Sequence, residues 1–493
     1  MAKRSNKHQN VQRVFYSGFD GGLNLSVPSE SLPKNELKEA VNVEFSPLTG
    51  SMKVRGGLLW SGRFDAEVTD VVPVPGRSGF LARKKGSYNA YFFKWNNIWP
   101  VAGTLLGGSD MSLVQWGDDW LVVSGNHLQR FTDNPVPKLE TIWTASSSCK
   151  KVFVRDGRVG LVVANDKILF SKVGDCESWV NDPNDESSAQ HIEIGYKDGM
   201  DITAVVPLSK DLIIFKSPKG EPDKGVIYRL TGSYPNWSVV EVAHNTGTFS
   251  QRSVCVVGND IFYATVSGIA TLSSVTSYGE IKTSWPDRKV NNALTPQLDE
   301  TARVYDVPVK QQLWIAPSES STDIWVYDYA RKIWTKFEFP KKIVYAAGVD
   351  NRLYVFMGRD LYEVNDDYTQ DDLRDEGKKT ITAKMKLGTL LNGGQTLIKG
   401  AFASFELKPQ CYAELVLGKF VMPFTFGGTI DYIYDPPNDT QYASEDNDPL
   451  FPEGSVLTSR RRCIVREWAI APEIRIYGGG CAVSTIGLEM VEV

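Results

Sequence analysis

The 493-residue chain carries 59 acidic against 54 basic side chains, a formal net charge of −5, which argues against a general nucleic-acid binder with a basic face. That charge does not exclude a channel through which DNA passes without sticking, because an acidic wall would repel phosphates. Hydrophobic residues make up 42% and aromatics 11%, enough for a packed core, and no apolar run is long enough to cross a bilayer as a helix.

Residues 1–13 are polar and basic and are expected to form a disordered tail that lacks the apolar segment of a secretory signal, so folding in a cytoplasm is expected. The stretch 14–65 reads as an extended N-terminal arm. Gly18, Gly21 and Gly22 give backbone freedom, and Leu23 to Val27 alternates. Leu32-Pro33 predicts a short helical piece with Asn35 as its N-cap and Leu37, Ala40 and Val41 on one face. Val41 to Phe45 alternates again, and Met52 to Arg55 leads into Gly56-Gly57. This arm has too few apolar residues to fold alone and is expected to lie on the body or on a neighbouring subunit.

From 66 to 365, short runs of β-branched and aromatic residues recur between turn signals, which predicts antiparallel meanders. The clearest is Ile202 to Pro207, Leu212 to Lys216 and Val226 to Leu230, each run too short for a helix. Similar sets begin near Val68, Leu113, Lys151, Val254, Val304 and Val344. A spacing of roughly 40 to 50 residues is that of propeller blades. Closing the ring covers the faces and edges that a single sheet leaves open. The expected fold is all-β, with a propeller-like body of six or seven blades. Residues 366–377, with five Asp and one Glu, read as an acidic linker or exposed loop. The strands predicted over 378–493 suggest a C-terminal β-sandwich or small barrel with a long acidic, Pro-rich loop from Tyr434 to Gly454.

Candidate chemistry is sparse. His8, His127, His191 and His244 sit in separate segments, and the six Cys are far apart with no C-x-x-C pair, so reduced and mostly buried thiols are expected. There is no phosphate loop, nucleophile elbow or dinucleotide fingerprint. The reading is therefore no enzyme, no metal and no cofactor.

One order of residues stands out. Gly21-Gly22-Leu23-Asn24 is followed by Asn35-Glu36-Leu37, Ala40, Asn42 and the Gly50 to Arg55-Gly56 turn. Leu169 to Ser171, Gly174-Asp175 and Trp179 come next, then Ile194-Gly195, Asp198-Gly199 and the meander ending at Thr231-Gly232. The last strands, Ile474 to Tyr477 and Ile486 to Met490, complete the pattern. This order resembles the propeller-bearing nozzle, or tail-hub, proteins of short-tailed bacteriophages. The resemblance implies a virion tail component made in the host cytoplasm: a ring, usually of six copies, below the portal and adaptor rings. Its bore would continue the DNA channel for genome retention and ejection, without sequence-specific binding, and tail fibre or tail-tip proteins would be further partners. Phe15, Gly21, Gly22, Asn24 and Arg55 are then candidates for a subunit-contact arm. Asp366, Asp367, Asp371, Asp372, Glu445 and Asp446 are candidates for acids facing the channel. The alternative class is a propeller-type carbohydrate-binding or polysaccharide-degrading tail protein, which needs aromatics and paired carboxylates at one propeller mouth.

Overall fold

The computed structural model describes residues 11–492 apart from 47–49, 95–96, 109, 164, 209, 276–279, 285, 287, 409, 426–432, 436–439 and 443–455. The chain divides into two compact units: one made of 60–325 and 339–363, the other of 1–59, 326–338 and 364–493.

The 60–325 and 339–363 unit is a seven-bladed β-propeller. Its first five blades are four-stranded antiparallel sheets in sequence order. The fourth blade shows why the pattern folds this way. Asp201–Leu208, Asp211–Ser217 and Val226–Thr231 pair in register, with Leu212 opposite Leu230 and Ile214 opposite Tyr228. Every position of Asp211–Ser217 except the first is buried, as a central strand with both faces covered requires. Its outer strand, Ser238–His244, is mostly exposed.

The sixth blade opens with Arg303–Val307 and Gln312–Ala316, and the chain leaves the unit within the next strand, Asp323–Asp328. The seventh is built from Tyr345–Val349, Arg352–Met357 and Asp360–Asn365, with Gly57–Arg63 from before the first blade as its outer strand. Inner strands neighbour one another in order round the ring, and Tyr345–Val349 meets Val68–Val74 to close it. The core lies between the blades. At the closure, Phe64, Phe80 and Phe93 pack against Tyr354, Phe356 and Leu361. The Arg63 guanidinium pins the joining strand to the buried Asp360 carboxylate at 2.6 Å.

The second unit holds two larger sheets besides short two-stranded ones. One runs in the order Val456–Ile470, Leu390–Glu406, Ala482–Glu492, Met52–Val54, Val43–Phe45, with Val11–Ser17 also paired to Ala482–Glu492. Within this unit the other runs Ile333–Glu338, Glu39–Val41, Thr382–Lys386, Glu473–Tyr477, Tyr412–Leu417, Phe420–Thr425. Phe405 of the first sheet meets Phe424 of the second at 4.8 Å between ring centroids, which is the face-to-face contact of a sandwich. Strands from 14–65 thus share a unit with strands from 378–493.

Three local expectations change. The helical piece after Leu32 is absent: Glu36–Leu37 and Glu39–Val41 are strands, and Asn35 donates to the Asp20 carboxylate at 2.9 Å instead of capping a helix. A helix this short has little intrinsic stability, and pairing with Thr382–Lys386 overrides its spacing. Residues within 366–377 also depart from the linker reading. Gln370–Leu373 and Gly377–Thr380 form a hairpin, whose Asp371 and Leu373 point inward. Of the basic tail, Val11 to Arg13 belong to a strand, and 1–10 lie outside the described residues.

Candidate functional site

In a propeller the inner strands start or end near the axis, so residues at those positions crowd into one chamber. Here a cavity of about 640 Å³ is lined by the starts of the second to fifth blades and their loops, among them Asp110, Lys150, Asp201, Thr203, Gln251 and Glu300. A second cavity of about 370 Å³ draws on the inner strands themselves, with Asp70, Lys151, Arg252, Arg303, Tyr305 and Tyr345 on its wall.

The charges in the second cavity are arranged around Asp70. Its Oδ2 lies 2.5 Å from Arg252 Nη2, which also reaches Asp110 Oδ1 at 2.9 Å. The Met111 backbone N–H donates to Oδ2, and the Val71 N–H donates to Oδ1 at 2.9 Å. Burial outweighs this help from Arg252 and pushes the Asp70 carboxyl from 3.8 up to about 6. Arg303 Nη1 and Tyr305 Oη both donate to the Val344 carbonyl, at 2.7 and 3.0 Å. Burial raises the Tyr305 and Tyr345 hydroxyls and lowers the Lys151 ammonium. At the wider cavity, the Lys150 Nζ donates to the Ile202 carbonyl at 2.6 Å and is also lowered by burial.

This arrangement can bind a polar molecule. The Cys149 and Cys255 thiols near it are raised by burial, Cys149 to about 12, so they stay protonated and inert. Phe249 is the one aromatic lining the wider cavity among the described residues. No group of three or more His, Cys, Asp or Glu that could hold a metal ion occurs among the described residues.

The residues nominated from sequence lie elsewhere, in the second unit. Phe15 is 48% exposed on Val11–Ser17. Gly21 and Gly22 sit where the chain passes tightly. A Cβ at Gly21 would be 2.4 Å from the Glu36 side chain, and Gly22, with φ +65°, pairs in parallel with Glu36. Asn24 is buried and donates to Glu36 Oε2 at 2.5 Å.

Arg55 and Asp371, nominated for a subunit contact and a channel wall, are instead each other's partner. Two hydrogen bonds of 3.0 and 2.8 Å join them, with side chains 2% and 6% exposed. Asp366 pairs with Lys53 at 2.9 Å, Asp372 is half-buried in the hairpin, and the Asp367 side chain is 92% exposed. Glu445 and Asp446 lie outside the described residues. Sequence reasoning missed the axial set, because Asp70, Arg252 and Arg303 are single residues on three different blades. Asp70 and Arg303 lie on inner strands, and Arg252 lies in the short turn before the fifth blade.

No family model matches the chain, and no curated protein matches it. Among solved structures it is similar to the β-propeller domain of Cps50 (Swd1) from Myceliophteria thermophila, with 8% identity, a TM-score of 0.45, and coverage of 62% of this chain and 100% of that one. It is also similar to the WD40 propeller domain of Doa1, at 12% identity and TM-score 0.40, covering 62% and 96% of the two chains. BamB from Moraxella catarrhalis matches at 11% identity and TM-score 0.38, covering 65% and 92%. At such identities the likeness is one of fold alone. The chain is a β-propeller protein by its own strand pairing.

Proposed function

We propose that this chain is a structural subunit of a short-tailed bacteriophage tail, a nozzle or hub ring that continues the DNA channel below the portal and adaptor, rather than an enzyme. The observation that carries the reading is what the resemblance residues do. Gly22, Asn24, Asn42 and Arg55 knit one unit together: Asn24 holds Glu36, Asn42 accepts from Arg55 Nε at 3.1 Å, and Arg55 holds Asp371. Such residues mark a framework, not a reaction centre. At the propeller axis Asp70 and Arg252 form an ion pair, and Arg303 and Tyr305 both donate to the Val344 carbonyl. A ring subunit needs two different complementary patches, and a chain with two compact units has separate surfaces to offer. Of the described acids considered for the bore, Asp367 has the exposure that role needs, whereas Asp371 is taken up inside the fold.

Electron microscopy of the purified full chain, alone and with portal and adaptor rings, tests the proposal. Sixfold rings or tapered tubes on the portal axis are the expected result, and single particles that never dock overturn it. A second reading, a carbohydrate-binding or polysaccharide-degrading tail protein, is favoured by Asp110, Asp201 and Glu300 at one cavity. Saccharide release from a polysaccharide panel, abolished by Asp201→Asn, would put that reading in place of the ring.

A further inference from the structure

The thiols of Cys411 and Cys481 look remote in sequence, yet the fold brings them together. Cys411 precedes Tyr412–Leu417 and Cys481 precedes Ala482–Glu492, and both strands are fixed by their neighbours. Tyr412 is opposite Tyr477, and Ala482 is opposite Glu406. The Lys408 backbone holds both cysteines: its N–H donates to Cys481 Sγ at 3.3 Å, and its carbonyl accepts from the Cys411 N–H at 3.1 Å. Room for the second thiol comes from Gly478, where a Cβ would lie 2.2 Å from Cys411 Sγ. The two thiols interact closely enough that each shifts the other's acidity, and both are buried, at 4% and 0% exposure.

The pair is also polarised. The Cys411 S–H, the Lys408 N–H and the Lys408 ammonium all favour a thiolate on Cys481, which is lowered, whereas Cys411 is raised. A depressed thiolate next to a protonated thiol is the arrangement of an attacking and a resolving cysteine.

We propose that Cys411 and Cys481 are a dithiol site that closes to an intramolecular disulfide when it meets a two-electron oxidant of the peroxide class. The Cys481 thiolate attacks a peroxide oxygen and the O–O bond breaks, leaving a sulfenic acid and a hydroxide that takes up a proton. The Cys411 sulfur then attacks the Cys481 sulfur. The S–S bond forms as the S–O bond breaks, and the departing hydroxide leaves as water with the Cys411 proton. Each sulfur is oxidised by one electron, and hydrogen peroxide is reduced to two waters. The cross-link ties the start of Tyr412–Leu417 to the start of Ala482–Glu492, constraining the unfolded chain between them, so the oxidised protein melts higher. None of this depends on the ring reading.

The test uses the full chain, reduced, freed of reductant and treated with hydrogen peroxide under native conditions. The expected result is an intact mass lower by two hydrogen atoms, a non-reduced peptide map with one cross-link joining Cys411 to Cys481, and a melting temperature that falls back when reductant is restored. Cys411→Ser should leave a dimedone-reactive sulfenic acid at Cys481. A first cross-link to Cys463 or another thiol overturns the proposal, as does oxidation to sulfinic acid with no cross-link. The wild-type peptide map decides these points even where the variant does not fold.

Discussion

Arg55 is the residue whose removal should do most damage to the unit formed by the chain's two ends. Its guanidinium donates to both Asp371 oxygens, to Asn42 Oδ1 at 3.1 Å, and to the Gly56 and Glu338 carbonyls at 3.1 and 3.2 Å. Without it, Asp371 keeps a bond from the Leu58 N–H at 3.1 Å but becomes a buried carboxylate with no counter-charge. Removing one partner of a buried ion pair costs about 3–5 kcal/mol, and two carbonyls left without their donor add about 1 kcal/mol each. Arg55→Met, which keeps much of the packing volume, should therefore destabilise the unit by about 5–7 kcal/mol.

Asp371→Leu should cost about 3–5 kcal/mol by the reverse route, and the double variant should cost less than the sum by about 2 kcal/mol or more. A chain with two compact units does not unfold in one step, so the readout is amide hydrogen exchange peptide by peptide. Protection should fall in peptides from 36–58, 333–338 and 370–380, while blades two to five keep theirs. Arg55→Met within about 1 kcal/mol of wild type, or single effects that simply add, would refute the argument.

Three further outcomes follow from the propeller. Lys216, with its side chain wholly buried, donates to both Asp198 oxygens at 2.8 Å and to the Ile194 and Gly195 carbonyls, so Asp198→Ala should cost about 3–5 kcal/mol, read by amide hydrogen exchange in the fourth blade. At Gly160 a Cβ would lie 2.3 Å from the Phe153 ring, and Gly160→Ala should cost about 1–3 kcal/mol, recovered in part by Phe153→Leu. Folding raises the Asp70 pKa from 3.8 to about 6, so the folded state binds its proton more tightly than the unfolded state. The stability this contributes is complete below pH 3.8 and is lost as pH rises through 6, about 3 kcal/mol in all. Asp70→Asn should flatten that part of the stability–pH curve, and a slope identical to wild type would remove Asp70 as its source.

The propeller was legible because its inner and middle strands are apolar runs bounded by turns, and Leu212 to Lys216 is fully buried as the run implies. Outer strands obey a different rule. Lys138–Thr144 and Ser238–His244 keep most positions exposed, so they lack the buried apolar run that marks the inner strands. The strand that closes the seventh blade, Gly57–Arg63, was hidden because its partner lies about three hundred residues away, a separation visible in Arg63 and Asp360 (|i−j| = 297).

The same distance explains the misplaced charges. A run such as Asp366 to Lys379 reads as solvated surface when each carboxylate is judged by its neighbours in sequence. Asp371 is settled instead by Arg55, 316 positions earlier. The segment did carry a clue. In Gln370-Asp371-Asp372-Leu373, a strand puts Asp371 on the same face as Leu373, which is buried to 1% exposure. A carboxylate alternating with a buried leucine needs a cation, and the arm's one arginine between two glycine-flanked turns, Arg55, was available. The thiol pair follows the same logic: Cys411 and Cys481 are far apart in the chain, and the Gly478-Gly479-Gly480 run marks the place where the backbone must leave room for something else.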